Sequence, residues 1–171
     1  MPALQGWLGV AAVMCLSAAA SVNAQSMLSG RVIAIADGDT LTLLDASKTQ
    51  HRIRLDGIDA PESGQPFGNR STQALSDLVI RKEARASCPK TDRYGRQVCQ
   101  VKVGGVDVGL EQIRRGMAWH FKRYTTEQSS EDRSIYSAAE LEARKAKRGL
   151  WRDPEPVPPW EWRAARTNPS Q

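Results

Sequence analysis

Arg54, Asp59 and Glu62 share one short stretch, Arg54-Leu55-Asp56-Gly57-Ile58-Asp59-Ala60-Pro61-Glu62, in which a cation precedes two carboxylates by five and eight residues. A guanidinium fits the planar oxygens of a phosphate, and carboxylates hold a hard metal ion. The pattern therefore suits a metal bound beside a phosphate. Just upstream, Arg52-Ile53-Arg54-Leu55 alternates as a strand does, with Ile53 and Leu55 on the buried face and both arginines on the polar one. Gly57 breaks the strand, and Pro61, which has no backbone N–H, stiffens the turn. A plain surface turn would also use Asp, Gly, Pro and Glu, so the stretch by itself leaves both readings open.

Two further motifs flank it. Asp37-Gly38-Asp39-Thr40 lies upstream between two strand-like runs, and Asp92-Arg93-Tyr94-Gly95-Arg96 lies downstream between two more. In this order and spacing the three motifs resemble the staphylococcal nuclease family, over roughly residues 28 to 152. The resemblance implies a five-stranded barrel with three helices. It also implies a Ca²⁺-dependent nuclease that cuts DNA and RNA with little sequence preference and leaves 3′-phosphates. Arg54, Glu62 and Arg96 match the family's catalytic arginine, glutamate and second arginine. Asp39 and Asp59 match its calcium-ligating aspartates, and Ala60 would lend a main-chain carbonyl where the best-known member carries Thr. Arg93, Tyr94 and Tyr124 match nucleotide-contacting positions, whereas Lys122 stands in place of an aromatic and would touch phosphate instead. Tyr124 can equally be a partly buried aromatic flanking a helix. Asp37 suits a turn-capping role better than direct ligation.

Phosphodiester hydrolysis independently asks for these residue types: positive charge around the phosphoryl oxygens, a base to orient water, and in-line geometry. The oxygen-only donor set favours Ca²⁺ over a softer metal. His51 and His120 lack ligand spacing and read as ordinary strand or helix-end residues. A catalytically silent nucleic-acid-binding barrel remains the alternative. Such a chain would be expected to lose some of the five matching positions.

The length of 171 residues allows one domain, and 25% charged with 40% hydrophobic residues is a globular composition. A net charge of +5 and a pI near 9.4 favour an acidic partner, nucleic acid before an anionic membrane. Residues 1–24 carry no Asp, Glu, Lys or Arg, and an apolar run from Trp7 to about Ala20 leads into Val22-Asn23-Ala24. This reads as a signal peptide cleaved after Ala24, sending the chain to the periplasm or outside the cell. An uncleaved amino-terminal anchor is the alternative, because the n-region has no Lys or Arg. The expected product is a monomer with no stable protein partner.

The mature part, residues 25–152, begins with three short strands: 31–35, 40–44 and 49–55. A helical period follows over 69–81, then strands at about 83–88 and 96–103. Helices are expected over 108–117 and 127–148, and a Pro-rich tail from 153 to 171 reads as extended. The order matches an OB-fold barrel, an α+β and mainly β architecture. The basic runs Arg114-Arg115 and Arg144 to Arg148 read as solvated helix faces. Trp151, Trp160 and Trp162 read as residues that seal the barrel or pin the tail. Once the leader and Cys15 are gone, Cys88 and Cys99 remain, equally distant from the Arg93-Tyr94 loop centre. Across a hairpin they would face each other and form a disulfide in an oxidising compartment. Two buried thiols are the alternative.

Overall fold

The computed structural model describes residues 26–167; the proposed leader and its cleavage site lie outside the described residues. Strands β1 (Ser26–Ile35), β2 (Thr40–Asp45) and β3 (Gln50–Leu55) form an antiparallel meander. A two-residue strand, β4 (Ile58–Asp59), precedes helix α1 (Gly68–Val79), which leads to the hairpin of β5 (Glu83–Thr91) and β6 (Gln97–Val103). A short β7 (Val106–Asp107) opens into α2 (Val108–Arg114), and β8 (Trp119–His120) pairs with β4. A 3-10 turn (Lys122–Glu127), α3 (Ser130–Lys145), a second 3-10 turn (Gly149–Arg152) and α4 (Pro159–Thr167) complete the order.

Two pairings close the barrel. β1 is long enough to serve two neighbours, pairing through Gly30–Ile35 with β2 and through Ser26–Arg31 with β5. A register shift between Val32 and Ala34 bends it between them. β3 then pairs in parallel with β6, setting Arg54 opposite Val98 and Leu55 opposite Cys99. This five-stranded mixed barrel is the OB-type α+β fold expected. The strand carrying Arg54 therefore lies beside the hairpin carrying Arg96.

The interior follows from the alternation. Val32, Leu41, Leu43, Ile53, Leu55, Ala86 and Val101 point into the barrel, and Leu75, Val79 and Ile113 from α1 and α2 close it. Tyr136 of α3 reaches the same core, and its hydroxyl donates to both Asp107 oxygens at 3.0 Å. Burial and the neighbouring Asp107 push that phenol well above its ordinary pKa. Asp107 also caps α2 by accepting from the Leu110 N–H. A smaller cluster of Trp119, Ala143, Leu150 and Trp151 packs beside the core, with Phe67 and Trp160 against it.

The three helices expected from periodicity are present, α2 ending sooner at Arg114 and α3 beginning later at Ser130. The tail is a correction: instead of running extended throughout, it folds into α4. Pro159 opens that helix, Glu161 lies in its first turn and Arg166 in its last, an order that suits the helix dipole.

Cys88 and Cys99 form a disulfide across the β5–β6 hairpin, with Cα atoms 4.2 Å apart. A bridge spanning a separation of 11 residues should stabilise the domain by roughly 3 kcal/mol through loss of chain entropy in the unfolded state. Reduction is therefore expected to lower the denaturant midpoint, measured by circular dichroism. Thiol titration of the unfolded, unreduced mature protein should find none free. Two free thiols per chain would contradict the bridge.

Candidate active site

The first acidic residue is placed by a turn. Asp39 donates its own N–H to the Asp37 carboxylate at 3.0 Å, the capping role expected of Asp37. The Asp39 carbonyl accepts from the Leu55 N–H at 2.8 Å, which joins this turn to the end of β3. Gln112 of α2, fully buried, donates to the Gly38 carbonyl at 2.8 Å and to the Ser71 carbonyl at 3.2 Å. The turn is thus held from the strand side and from the helix side.

The second is placed by the β4–β8 pair, where Asp59 lies opposite Trp119 with none of its surface exposed. Arg54 reaches both acids. Its Nη1 lies 3.1 Å from Asp39 Oδ2, and its Nη2 lies 2.9 Å from Asp59 Oδ1 and 3.3 Å from the Ile58 carbonyl. The Ala60 N–H donates to Asp39 Oδ2 at 3.2 Å, so Ala60 belongs to the same cluster. Burial is the larger influence on both partners. It pushes the Asp39 carboxyl up to about 7, against the pull of Arg54. It opposes the Arg54 charge as well, yet Asp39 and Asp59 together hold that guanidinium above its ordinary value. A guanidinium keeps its proton at any ordinary pH, so Asp39 is the member whose charge can vary.

Glu62 sits on the loop after β4, its side chain 40% exposed. Gln65 fixes that loop by accepting the Glu62 N–H at 3.1 Å on its own amide oxygen. Close approach at Gly68 tightens it further, because a Cβ there would lie 2.0 Å from the Glu62 carbonyl oxygen. Arg96 enters from the β5–β6 hairpin. It pairs with Asp92 at 2.8 Å and donates from Nη1 to Thr40 Oγ1 at 3.4 Å. Thr40 in turn donates to Asp39 Oδ1 at 2.9 Å. Burial raises the Asp92 carboxyl, but the Arg96 N–H, the Arg96 guanidinium and the Tyr94 N–H outweigh it and hold the group below its usual range.

Arg54, Asp39, Asp59, Ala60, Glu62 and Arg96 are therefore brought to one region, and two residues not singled out from the sequence join them. Thr40 links Arg96 to Asp39. Arg163 of α4 spans Asp59 and Glu62: Nη2 lies 2.7 Å from Asp59 Oδ2, and Nη1 lies 2.6 Å from Glu62 Oε1 and 3.3 Å from Asp59 Oδ1. Burial works against the Arg163 charge, but those hydrogen bonds to Asp59 and Glu62 raise its pKa well above the ordinary value.

The positions matched to nucleotide contacts lie on the surface around this region. Tyr94 is 69% exposed, with the Arg93 and Arg96 guanidiniums 5.0 and 5.5 Å from its ring centre. Tyr124 is 47% exposed and packs against Phe121 and Lys90, so it is only half committed to a structural role. Lys122, its side chain still 60% exposed, pairs with the buried Glu140 at 2.9 Å. His51 pairs with Asp45, and His120 is buried against Gln128 and Ser137, both structural placements.

The family model described as staphylococcal nuclease homologue matches residues 52–153, more than half of the chain. The chain belongs to the staphylococcal nuclease family. It is 39% identical over 157 residues to a Shigella flexneri protein named micrococcal nuclease, covering 86% of this chain and 87% of that one. An uncharacterized endonuclease of Escherichia coli O157:H7 is 42% identical over 135 residues, covering 78% of this chain and 84% of the other. The Escherichia coli protein ParB is 36% identical over 170 residues, covering 94% and 93% of the two chains.

Among the described residues, no three His, Cys, Asp or Glu side chains group closely enough to hold an ion by themselves. A cation at Asp39 and Asp59 would need main-chain or solvent oxygens to complete its shell. The donor chemistry fits one nonetheless: two buried carboxylates converge, and Arg163 already presents a positive charge to one of them. An all-oxygen set of this kind suits a hard ion such as Ca²⁺.

Proposed function

We propose that this nuclease of the staphylococcal nuclease family is an exported, Ca²⁺-dependent enzyme that hydrolyses DNA and RNA with little sequence preference. The observation that carries the reading is the convergence of Asp39 from one turn with Arg54, Asp59 and Glu62 from the 54–62 stretch, Arg96 of a third segment being joined through Thr40. A silent binding module would have no need to keep two buried carboxylates and their arginine together, since such a group is costly to bury.

In this reading Asp39, Asp59 and the Ala60 carbonyl would hold Ca²⁺, which when bound supplies positive charge to a phosphoryl oxygen. Glu62 accepts a proton from the attacking water as its oxygen bonds to phosphorus. Arg54 and Arg96 neutralise the charge that builds on the remaining phosphoryl oxygens. The P–O5′ bond breaks, the 5′ oxygen takes up a proton, and the phosphate stays on the 3′ end. Arg93, Tyr94 and Tyr124 grip the neighbouring nucleotide through phosphate contacts and ring packing. The Cys88–Cys99 bridge supports an oxidising destination for the mature chain.

Asp39→Ala and Asp59→Ala are each expected to raise the calcium concentration needed for half-maximal cleavage, because each removes an anionic oxygen from a site with few. Calcium titrations of cleavage check this. Unchanged midpoints in both variants would exclude the two aspartates as ligands.

A further inference from the structure

The Arg163 guanidinium occupies oxygens on which the proposed mechanism depends. It takes both oxygens of Asp59, an assigned calcium ligand, and one of Glu62, the assigned base, at 2.6–3.3 Å. Calcium binds oxygen at about 2.3–2.6 Å. A divalent ion on Asp59 would therefore sit against a guanidinium already bonded to the same two atoms, with like charges in contact. Without that ion Arg163 relieves the cluster by adding a second cation beside Arg54 against the grouped carboxylates.

Arg163 is delivered there by a docked element. Trp160 lies one helical turn earlier on the same side of α4. Its ring meets Trp119 at 6.4 Å and Phe121 at 5.6 Å between centres, and Pro159 beside it is buried. Gln65 donates to the Val157 carbonyl while its amide oxygen holds the Glu62 N–H, so one side chain ties the tail to the Glu62 loop. α4 itself is short and mostly exposed, and Arg163 is 43% exposed at its side chain. Such an element is held by a few contacts and can leave without disturbing the barrel. Arg163 also lies ten residues beyond the segment that the family model matches.

We propose that α4 is an intramolecular latch in which Arg163 competes with calcium for Asp59 while holding Glu62, so that calcium binding releases the helix and frees Glu62 to act as base. This rests on the calcium reading given above. The latched chain carries its own counter-cation where metal is scarce, and occupation of the site by calcium converts it to the open form. A latch closed nine-tenths of the time weakens apparent calcium affinity about tenfold, because only the open fraction binds.

The test is calorimetric titration of the full mature chain with calcium, for the wild type, Arg163→Gln and Trp160→Ala. Hydrogen exchange of residues 159–167 is followed with and without the ion. Arg163→Gln removes the competing charge, and Trp160→Ala loosens the docking while leaving that charge in place. Both variants should bind calcium several-fold to about tenfold more tightly than the wild type. In the wild type, calcium should speed amide exchange across α4. Equal affinity in all three proteins, weaker binding by Arg163→Gln, or exchange in α4 that calcium does not alter would each overturn the latch. Equal binding in all three leaves the calcium reading intact and removes only the latch; no heat of binding in any of them removes both.

Discussion

Arg54→Ala is expected to abolish hydrolysis and to lower the unfolding free energy by about 3–5 kcal/mol at neutral pH. The stability loss comes from what the arginine leaves behind. Asp39 and Asp59 are 3% and 0% exposed, and Arg54 is the cation lying between them. Among the described residues, Asp39 then has no ion-pair partner, and Asp59 keeps Arg163 alone, from a helix held at the surface. The deficit should depend on pH in a defined sense. Asp39 already titrates near 7 because of its burial, above the value of about 4 for an unfolded chain. Between those values the folded state binds more protons than the unfolded one, so stability rises as pH falls from 7 toward 4. Loss of Arg54 strengthens that trend, and the variant's deficit should shrink on acidification. Arg54→Lys keeps a charge but loses the two-pronged reach to Asp39 and Asp59, and should recover part of the stability with little of the activity. Urea unfolding followed by circular dichroism at pH 5 and pH 7.5 measures this. A deficit within 1 kcal/mol of zero at both pH values would contradict the role given to Arg54.

Glu62→Gln should lower turnover by about 10²–10⁴-fold while leaving nucleic-acid binding nearly intact. The amide keeps the length and shape of the side chain and can still bond Gln65 through the unchanged main chain. It cannot take a proton from water. Stability should change little, because Glu62 is 40% exposed and its ion pair with Arg163 is at the surface. Single-turnover cleavage with saturating enzyme separates chemistry from binding. Cleavage by Glu62→Gln within a few-fold of wild type would remove Glu62 as the base.

Much of the barrel was legible because its strands obey a local rule. The alternation of Arg52-Ile53-Arg54-Leu55 assigns Ile53 and Leu55 to the core, where both are at most 1% exposed, and turns Arg54 toward the acids. The cysteine pair was legible for a similar reason, since equal distance from a hairpin centre puts two residues opposite each other. The residues without a local signature act over long sequence separations. Thr40 looked like the first residue of a strand, and nothing local to it tells that Arg96, 56 residues later, will reach its hydroxyl. Gln112 is a polar residue on the apolar side of a helix, which hints at a buried partner but cannot name the Gly38 carbonyl 74 residues away. Arg163 lies 101 residues from Glu62, in a tail whose prolines suggested an extended chain. The local signal for the helix is Pro159 followed by Glu161 and then Arg166, a start, an acidic first turn and a basic last turn.

The most direct test of the central claim is the release of acid-soluble nucleotides from heat-denatured DNA by the purified mature chain. Calcium should be supplied first and then removed with a chelator. The account expects steady release with calcium, loss of release on chelation, recovery when calcium is restored, and products that carry 3′-phosphates. Release that continues undiminished in excess chelator, or its complete absence at every calcium concentration, would contradict it.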